Sequence, residues 1–576
     1  MKIIRIHFIT LFVLLTTYCF GQTKTTYPQN YFRNPLDIPI SLAGSFGEIR
    51  PNHFHSGIDI KTNSVEGLNV YAVADGYVSR IRVSANGFGN ALYITHPNGY
   101  VSVYGHLKKY NVNIAQYLKS SQYAQESFEV DLFPLPNELP VKKSDIVAFS
   151  GNTGSSGGPH LHFELRDVKT ENTINPQLFG YDIPDDVPPV ILSIKMYPMN
   201  NKGTVNEQNL ATTLVVRGKS GQYSLINPSP INVHGKIGFG IATYDSQTSA
   251  MEKNGVYSIE IKLDKKRFYY YELDKFSFAE TRGVNSHIDY LEKMKSNKTI
   301  QKCCVAPNNP LSIYKELVNN GTINFLDNQI HEIEYIVRDA KGNTSTLIFN
   351  VQSSSAAPTI LNTCKNPECQ AVFHFGKNNI YKTSDLLVEI PGSSLYDSLF
   401  FEYSKTPSTR GLYSPVHHIH NIYTPVNIYD ISIKPENLPD QLKSKALIVL
   451  VSEGGTKSSQ GGAFQNGYVS TKVKYFGNYA VAVDTTAPTI VPKNISPNKN
   501  MSKSSTIQFK ISDNLSGIKS YRATVDGRWI LMELEGKTSL LTYKFDDHVP
   551  KGIHELILKV IDLKNNSKEF KCTFTR

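Results

Sequence analysis

Three proline-bearing breaks constrain this chain most: Asp185-Asp186-Val187-Pro188-Pro189, Ser353-Ser354-Ser355-Ala356-Ala357-Pro358 and Asp484-Thr485-Thr486-Ala487-Pro488. Proline donates no ladder hydrogen bond and keeps its predecessor extended, so each string ends a sheet. Between them, short runs alternate apolar and polar residues with a period of two, as in Val256-Tyr257-Ser258-Ile259-Glu260-Ile261-Lys262-Leu263, and glycine turns such as Asp75-Gly76 close them. No long apolar stripe with a 3.6-residue period runs through the sequence. At roughly 100–200 residues per domain, a chain of 576 residues is too long for one core. The pattern predicts an all-β protein of four units, with helix a minor component: residues 22–185, 190–352, 359–483 and 488–576.

The second and fourth units share a turn motif, Asp339-Ala340-Lys341-Gly342-Asn343 and Asp562-Leu563-Lys564-Asn565-Asn566, and read as related immunoglobulin-like β-sandwiches. The third is a less regular β-rich unit. Within the first, the polar stretch 114–126 interrupts the strand series and reads as a short helix or a loop at the rim.

Residues 1–21 have the layout of a secretory signal: Lys2 and Arg5, an apolar run from Phe8 to Leu15, and a small residue, Gly21, before a cut near Gln22. The run is too short for a membrane span. The expected location is therefore outside the cytoplasm, in the periplasm, the cell envelope or the medium. Five cysteines then remain; Cys364 and Cys369 have the spacing of a small disulfide loop or of two reduced thiols, and none has zinc-ribbon spacing. The net charge of +10 is spread along the chain without a dense Lys/Arg block, which argues against a nucleic-acid surface.

The chemistry concentrates in the first unit. His55-Ser56-Gly57-Ile58-Asp59 and His160-Leu161-His162 supply three imidazoles and one carboxylate, nitrogen and oxygen ligands that zinc accepts in hydrolytic sites. Tyr104-Gly105-His106-Leu107 adds an imidazole suited to proton transfer. A catalytic zinc keeps an open position, so three of these five groups suffice. On a strand, His160 and His162 share one face while Leu161 and Phe163 face the core, so one imidazole can bind metal while the other faces water. In a straight strand His55 and Asp59 are separated by roughly 13 Å, so the chain must bend between them, and Gly57 permits it. His53 reads as an exposed neighbour, and His417-His418-Ile419-His420 as a surface strand.

Together with Val70-Tyr71-Ala72-Val73-Ala74-Asp75-Gly76, Gly151-Asn152-Thr153-Gly154 and Gly157-Gly158-Pro159-His160-Leu161-His162-Phe163-Glu164, these strings resemble the lysostaphin/LytM family of zinc metallopeptidases over about residues 45–178. The resemblance implies a β-rich domain with a shallow groove, Zn2+ on His55, Asp59 and His162, and His106 and His160 as catalytic residues flanking the attacking water. It also implies an endopeptidase acting on peptidoglycan peptides, with the C-terminal β units positioning it or binding envelope proteins; the alternatives are an inert or weak envelope scaffold or activator of other cell-wall hydrolases, and a peptidase acting on a protein substrate. Two features depart from the family pattern: Gly105 stands where many relatives have alanine, and the insertion 111–140 is long enough to cap a groove.

Overall fold

The computed structural model describes residues 26–200, 202–248, 251–355 and 369–576. The expected signal segment and Cys364 lie outside them. Strands account for 47% of the chain and helix for 8%, so the protein is nearly all-β. Among the described residues no helix is long and apolar enough to cross a membrane. Cys303, Cys304 and Cys572 are buried and unbridged.

The site-bearing sheet contains β1 (Leu42–Gly44), β2 (Ile58–Lys61), β3 (Gly76–Val83), β4 (Asn90–Thr95), β5 (Tyr100–Gly105), β6 (Val130–Leu132) and β7 (His160–Asp167), in the antiparallel order β1-β2-β7-β5-β4-β3-β6. Strand β7 lies between β2 and β5 in a register that sets His162 opposite Asp59 on one side and Gly105 on the other. Period-two alternation sends Ile58, Ile60, Leu161 and Phe163 into the core, where all four are fully buried, and leaves Asp59 and His162 on the opposite face.

Gly57 has a different role from the bend expected of it. A Cβ built there would lie 2.3 Å from the carbonyl oxygen of Phe163, so the residue is glycine because β7 passes against its backbone. The stretch after β5 is a helix, α1 (Val112–Gln125), capped by the Asn111 side chain, which accepts the Ile114 N–H, and closed by left-handed Glu126. Ile114, Leu118 and Gln122 recur every four residues and are its buried face.

The apolar core does not stop at the first proline break. One cluster runs from Tyr27 to Val351: Phe46 and Phe54 pack on Phe276, and Thr173–Ile174 pairs with Lys275–Phe276 as adjacent strands. Two further cores lie within 373–481 and 495–574, each between two sheets. The last unit folds back onto the first. Tyr123 of α1 stacks on His548 at 3.9 Å, meets Trp529 edge-on at 5.1 Å and donates its hydroxyl to Asp546, which also pairs with Lys119 at 2.7 Å.

The close approach at Gly57 yields a prediction. Gly57→Ala forces β2 and β7 apart and destabilises this sheet by about 1–3 kcal/mol, the usual cost of overpacking. Urea unfolding followed by near-ultraviolet dichroism reads it as a lower midpoint of the transition that includes the first core.

Candidate metal centre

The register that aligns Asp59 with His162 brings in His55 from the bend preceding β2. His55 Nε2, Asp59 Oδ1 and His162 Nδ1 lie 2.9–3.0 Å from one another, and all three residues are buried. His55 Nδ1 lies 2.8 Å from the Ser45 carbonyl, which can only accept, so Nδ1 carries the proton and Nε2 is bare. His162 Nε2 lies 2.9 Å from the Glu164 carboxylate, which leaves His162 Nδ1 as the inward lone pair. Asp59 Oδ2 is held by Arg50 at 2.6 Å, leaving Oδ1.

In the tautomers that a bound cation requires, three lone pairs converge. Such an arrangement is repulsive unless a cation or a proton enters it. Ligands at zinc bond lengths lie roughly 3.3 Å apart on a tetrahedron, close to the observed spacing. Two neutral imidazoles and one carboxylate fit a divalent ion, and among the described residues this is the one of three metal-capable groups that contains histidine.

The outer partners are themselves anchored. Glu164 is fully buried, and although burial opposes its charge, Arg166 at 2.6 Å and then His162 hold its carboxyl at about 2. Burial lowers His55, so it stays neutral. Burial also opposes charge on His162, but hydrogen bonds to Asp59 and Glu164 outweigh it and raise the imidazole to about 9.

His106 and His160 stand beside this group. Their rings are 4.7 Å apart, and His106 is 5.9 Å from the ring of His162. Each commits Nδ1–H to a carbonyl, His106 to Thr153 and His160 to Gly158, both at 2.8 Å, so each keeps a bare Nε2. His160 Nε2 is buried without a hydrogen bond, 3.4 Å from Asp59 Oδ1. Burial, then the neighbouring His162 and His160, bring His106 down to about 3. Its backbone is left-handed at φ 58°, and its N–H is pinned to the Phe88 carbonyl; strain of this kind persists where surrounding bonds over-determine a conformation. A Cβ on Gly105 would lie 3.2 Å from the Cβ of His162, so glycine leaves that ring its place.

The five residues singled out in the sequence therefore lie together. Ser45, Arg50, Glu164 and Arg166 carried no assigned role; Glu164 had a usable signal, since it sits two residues after His162 on the same strand face. Lys537, in the last unit, donates to the Asn152 carbonyl and side chain and to the Ser156 carbonyl, bracing the loop whose Thr153 orients His106. A cleft of about 480 Å3 between α1, this loop and the last unit reaches Thr153 and Gly154 but is not lined by the metal-facing residues.

The other histidines lie elsewhere. His53 is exposed. In the third unit His417 is fully buried rather than on a surface, bonded to Tyr403; His418 contacts Asn478 and His420 contacts Thr424. Among the described residues no metal-holding group forms there.

The proton on His162 makes metal binding pH-dependent. With His162 at about 9 in the metal-free protein, binding at pH 7 releases about one proton per ion, and affinity falls about tenfold per pH unit below 9. Titration calorimetry in buffers of different ionisation enthalpy measures the release; a value near zero contradicts the assignment of that proton.

Residues 53–124 match peptidase family M23, and residues 370–484 match a Zu5-like domain. The chain is 31% identical over 155 residues to an uncharacterized metalloprotease of Haemophilus influenzae, a match covering 25% of this chain and 27% of that protein. It is 33% identical over 112 residues to the DD-carboxypeptidase/endopeptidase Mpg of Neisseria meningitidis serogroup B, covering 19% and 20%. The match thus spans about a quarter or less of each relative. Among solved structures, the lysostaphin catalytic domain from Staphylococcus simulans aligns at 24% identity over 23% of this chain and 85% of that one, with a TM-score of 0.17. Ahead of its other β-rich units, this chain carries a peptidase domain of the metallopeptidase family M23.

Proposed function

We propose that the protein is an exported zinc metalloendopeptidase that hydrolyses peptide cross-links of bacterial peptidoglycan. The observation that carries this reading is the convergence of three ligand atoms, on His55, Asp59 and His162, whose side chains are otherwise bonded outward, beside two imidazoles whose outer nitrogens are already committed. Zn2+ held by those three residues would polarise a scissile carbonyl and make water acidic enough to ionise near neutrality.

The chain's own side chains supply the rest. His106 is neutral at physiological pH and offers one bare nitrogen, so it accepts a proton as water attacks and returns it to the departing amine. His160, equally bare at Nε2, steadies the charge that develops on the carbonyl oxygen once it holds a proton. Thr153 and Gly158 fix the two rings through their carbonyls, so neither must reorient during the reaction. Phe88, stacked on His162 at 4.7 Å, covers one side of the group.

A peptidoglycan substrate is supported by the relative named a DD-carboxypeptidase/endopeptidase, and export by the charged, then apolar, N-terminal sequence. The three units after the peptidase domain hold or position it; the bracing of loop 152–158 by Lys537 supports that role.

Digestion of purified peptidoglycan with analysis of released muropeptides by mass spectrometry tests the reading. His106→Ala is expected to retain zinc and lower the rate by about 10²–10⁴-fold, the span typical of a lost general base. His162→Ala is expected to lose zinc and activity together. Unchanged hydrolysis by His106→Ala removes its catalytic role, and stoichiometric zinc in His162→Ala removes the ligand set.

A further inference from the structure

A second cation site lies away from the peptidase centre, where the first proline break meets the second unit. Asp185 of the break, Asp245 at the end of strand Ile231–Tyr244 and Asp339 in the turn after strand Ile330–Arg338 bring one carboxylate oxygen each to within 4.8 Å of one another. None of the three forms a salt bridge among the described residues, and Asp245 is only 6% exposed. Asp245 Oδ1 has no hydrogen-bond partner, and neither does the buried Oδ1 of Asn254, whose backbone pairs with that of Asp245 in both directions. Buried oxygen atoms facing like charge without a donor are costly. Burial, then Asp339 and Asp185, accordingly push the Asp245 carboxyl up to about 8.

The same device recurs at the third break. Asp484, Asp513 and Asp562 converge equally closely, and Asp513 Oδ1 is again buried and unpartnered. Asn343 Nδ2 donates to Asp339 Oδ2 and to the Asp185 carbonyl; Asn566 Nδ2 donates to Asp562 Oδ2 and to the Asp484 carbonyl. The second copy differs in having Lys564 nearby, its ammonium bonded to the Ala446 and Gly462 carbonyls.

We propose that Asp185, Asp245 and Asp339 bind a calcium ion that ties the linker to the end of the second unit's sheet. The ligands are all oxygen, which favours a hard cation over zinc. Calcium bonds of roughly 2.3–2.6 Å reach oxygens this far apart, whereas magnesium demands a tighter octahedron. The consequence reaches the peptidase centre. Two residues beyond Asp245, Gln247 bonds the Ile40 carbonyl and the Leu42 N–H at β1, and Gly255, next to Asn254, exchanges hydrogen bonds with the hydroxyl of Ser45, whose carbonyl orients His55.

The test is thermal unfolding of the full chain in EGTA, in Ca2+ and in Mg2+, with Ca2+ binding followed by calorimetry. Calcium at 100 times its dissociation constant is expected to raise the midpoint of the transition containing the second unit by roughly 5–10 °C, with Mg2+ giving less. Asp245→Asn is expected to abolish the tightest Ca2+ binding event while leaving the midpoint in EGTA near that of the wild-type chain, because without the ion the Asp245 carboxyl already holds a proton near neutral pH. Absence of a calcium response in the wild-type chain overturns the proposal, and so does an undiminished response in Asp245→Asn. Neither result depends on hydrolytic activity.

Discussion

Everything at the peptidase centre follows from one electrostatic constraint: three ligand atoms face each other at about 3 Å, with room between them only for a cation or the proton of His162, because every other polar atom on the same side chains is already bonded outward. The Ser45 carbonyl, Glu164 and Arg50 do not touch the centre of the group, yet they decide which atoms do. A histidine with both nitrogens free can turn away or take the other tautomer; these cannot. The sheet register supplies the alignment, since β7 lies between β2 and β5, and the outward bonds supply the polarity.

This explains how much could be read from the sequence. Asp59, His160 and His162 stand in short strings whose period places them on strand faces, whereas His55 lies in a bend and His106 just past a strand end, and their part in the site was implied by the family resemblance rather than by period. The anchors of these side chains were not legible. Ser45 acts through a backbone carbonyl, invisible in a residue type, and Arg50 and Arg166 look like ordinary surface charges until the sheet brings them to Asp59 and Glu164. Gly57 was legible as a glycine with a purpose, but its purpose is the passage of a neighbouring strand, a tertiary fact. The all-β class was legible because alternation is local. The continuity of the apolar core from Tyr27 to Val351 was not, because proline marks where a chain stops pairing with itself and says nothing of what the flanking side chains pack against.

The stretch after β5 illustrates the same limit. Its polar composition gave no strong helical stripe, yet Asn111, Ile114, Leu118 and Gln122 suffice for a capped helix with one narrow buried face. Its other face carries Lys119 and Tyr123, whose partners lie more than four hundred residues later. An insertion that reads as a lid on a groove is thus also the seat for the chain's last unit.

That return contact changes how the molecule bears load. Chains of β units usually pass tension from linker to linker, and the most distant unit feels it last. Here Lys537 grips the loop carrying Thr153, and Asp546 grips Lys119 and Tyr123, so the two ends of the described fold are joined directly. A pull on the last unit therefore bears on the loop from Asn152 to Ser156, which carries the Thr153 carbonyl that His106 contacts, without first passing through the linkers between the units.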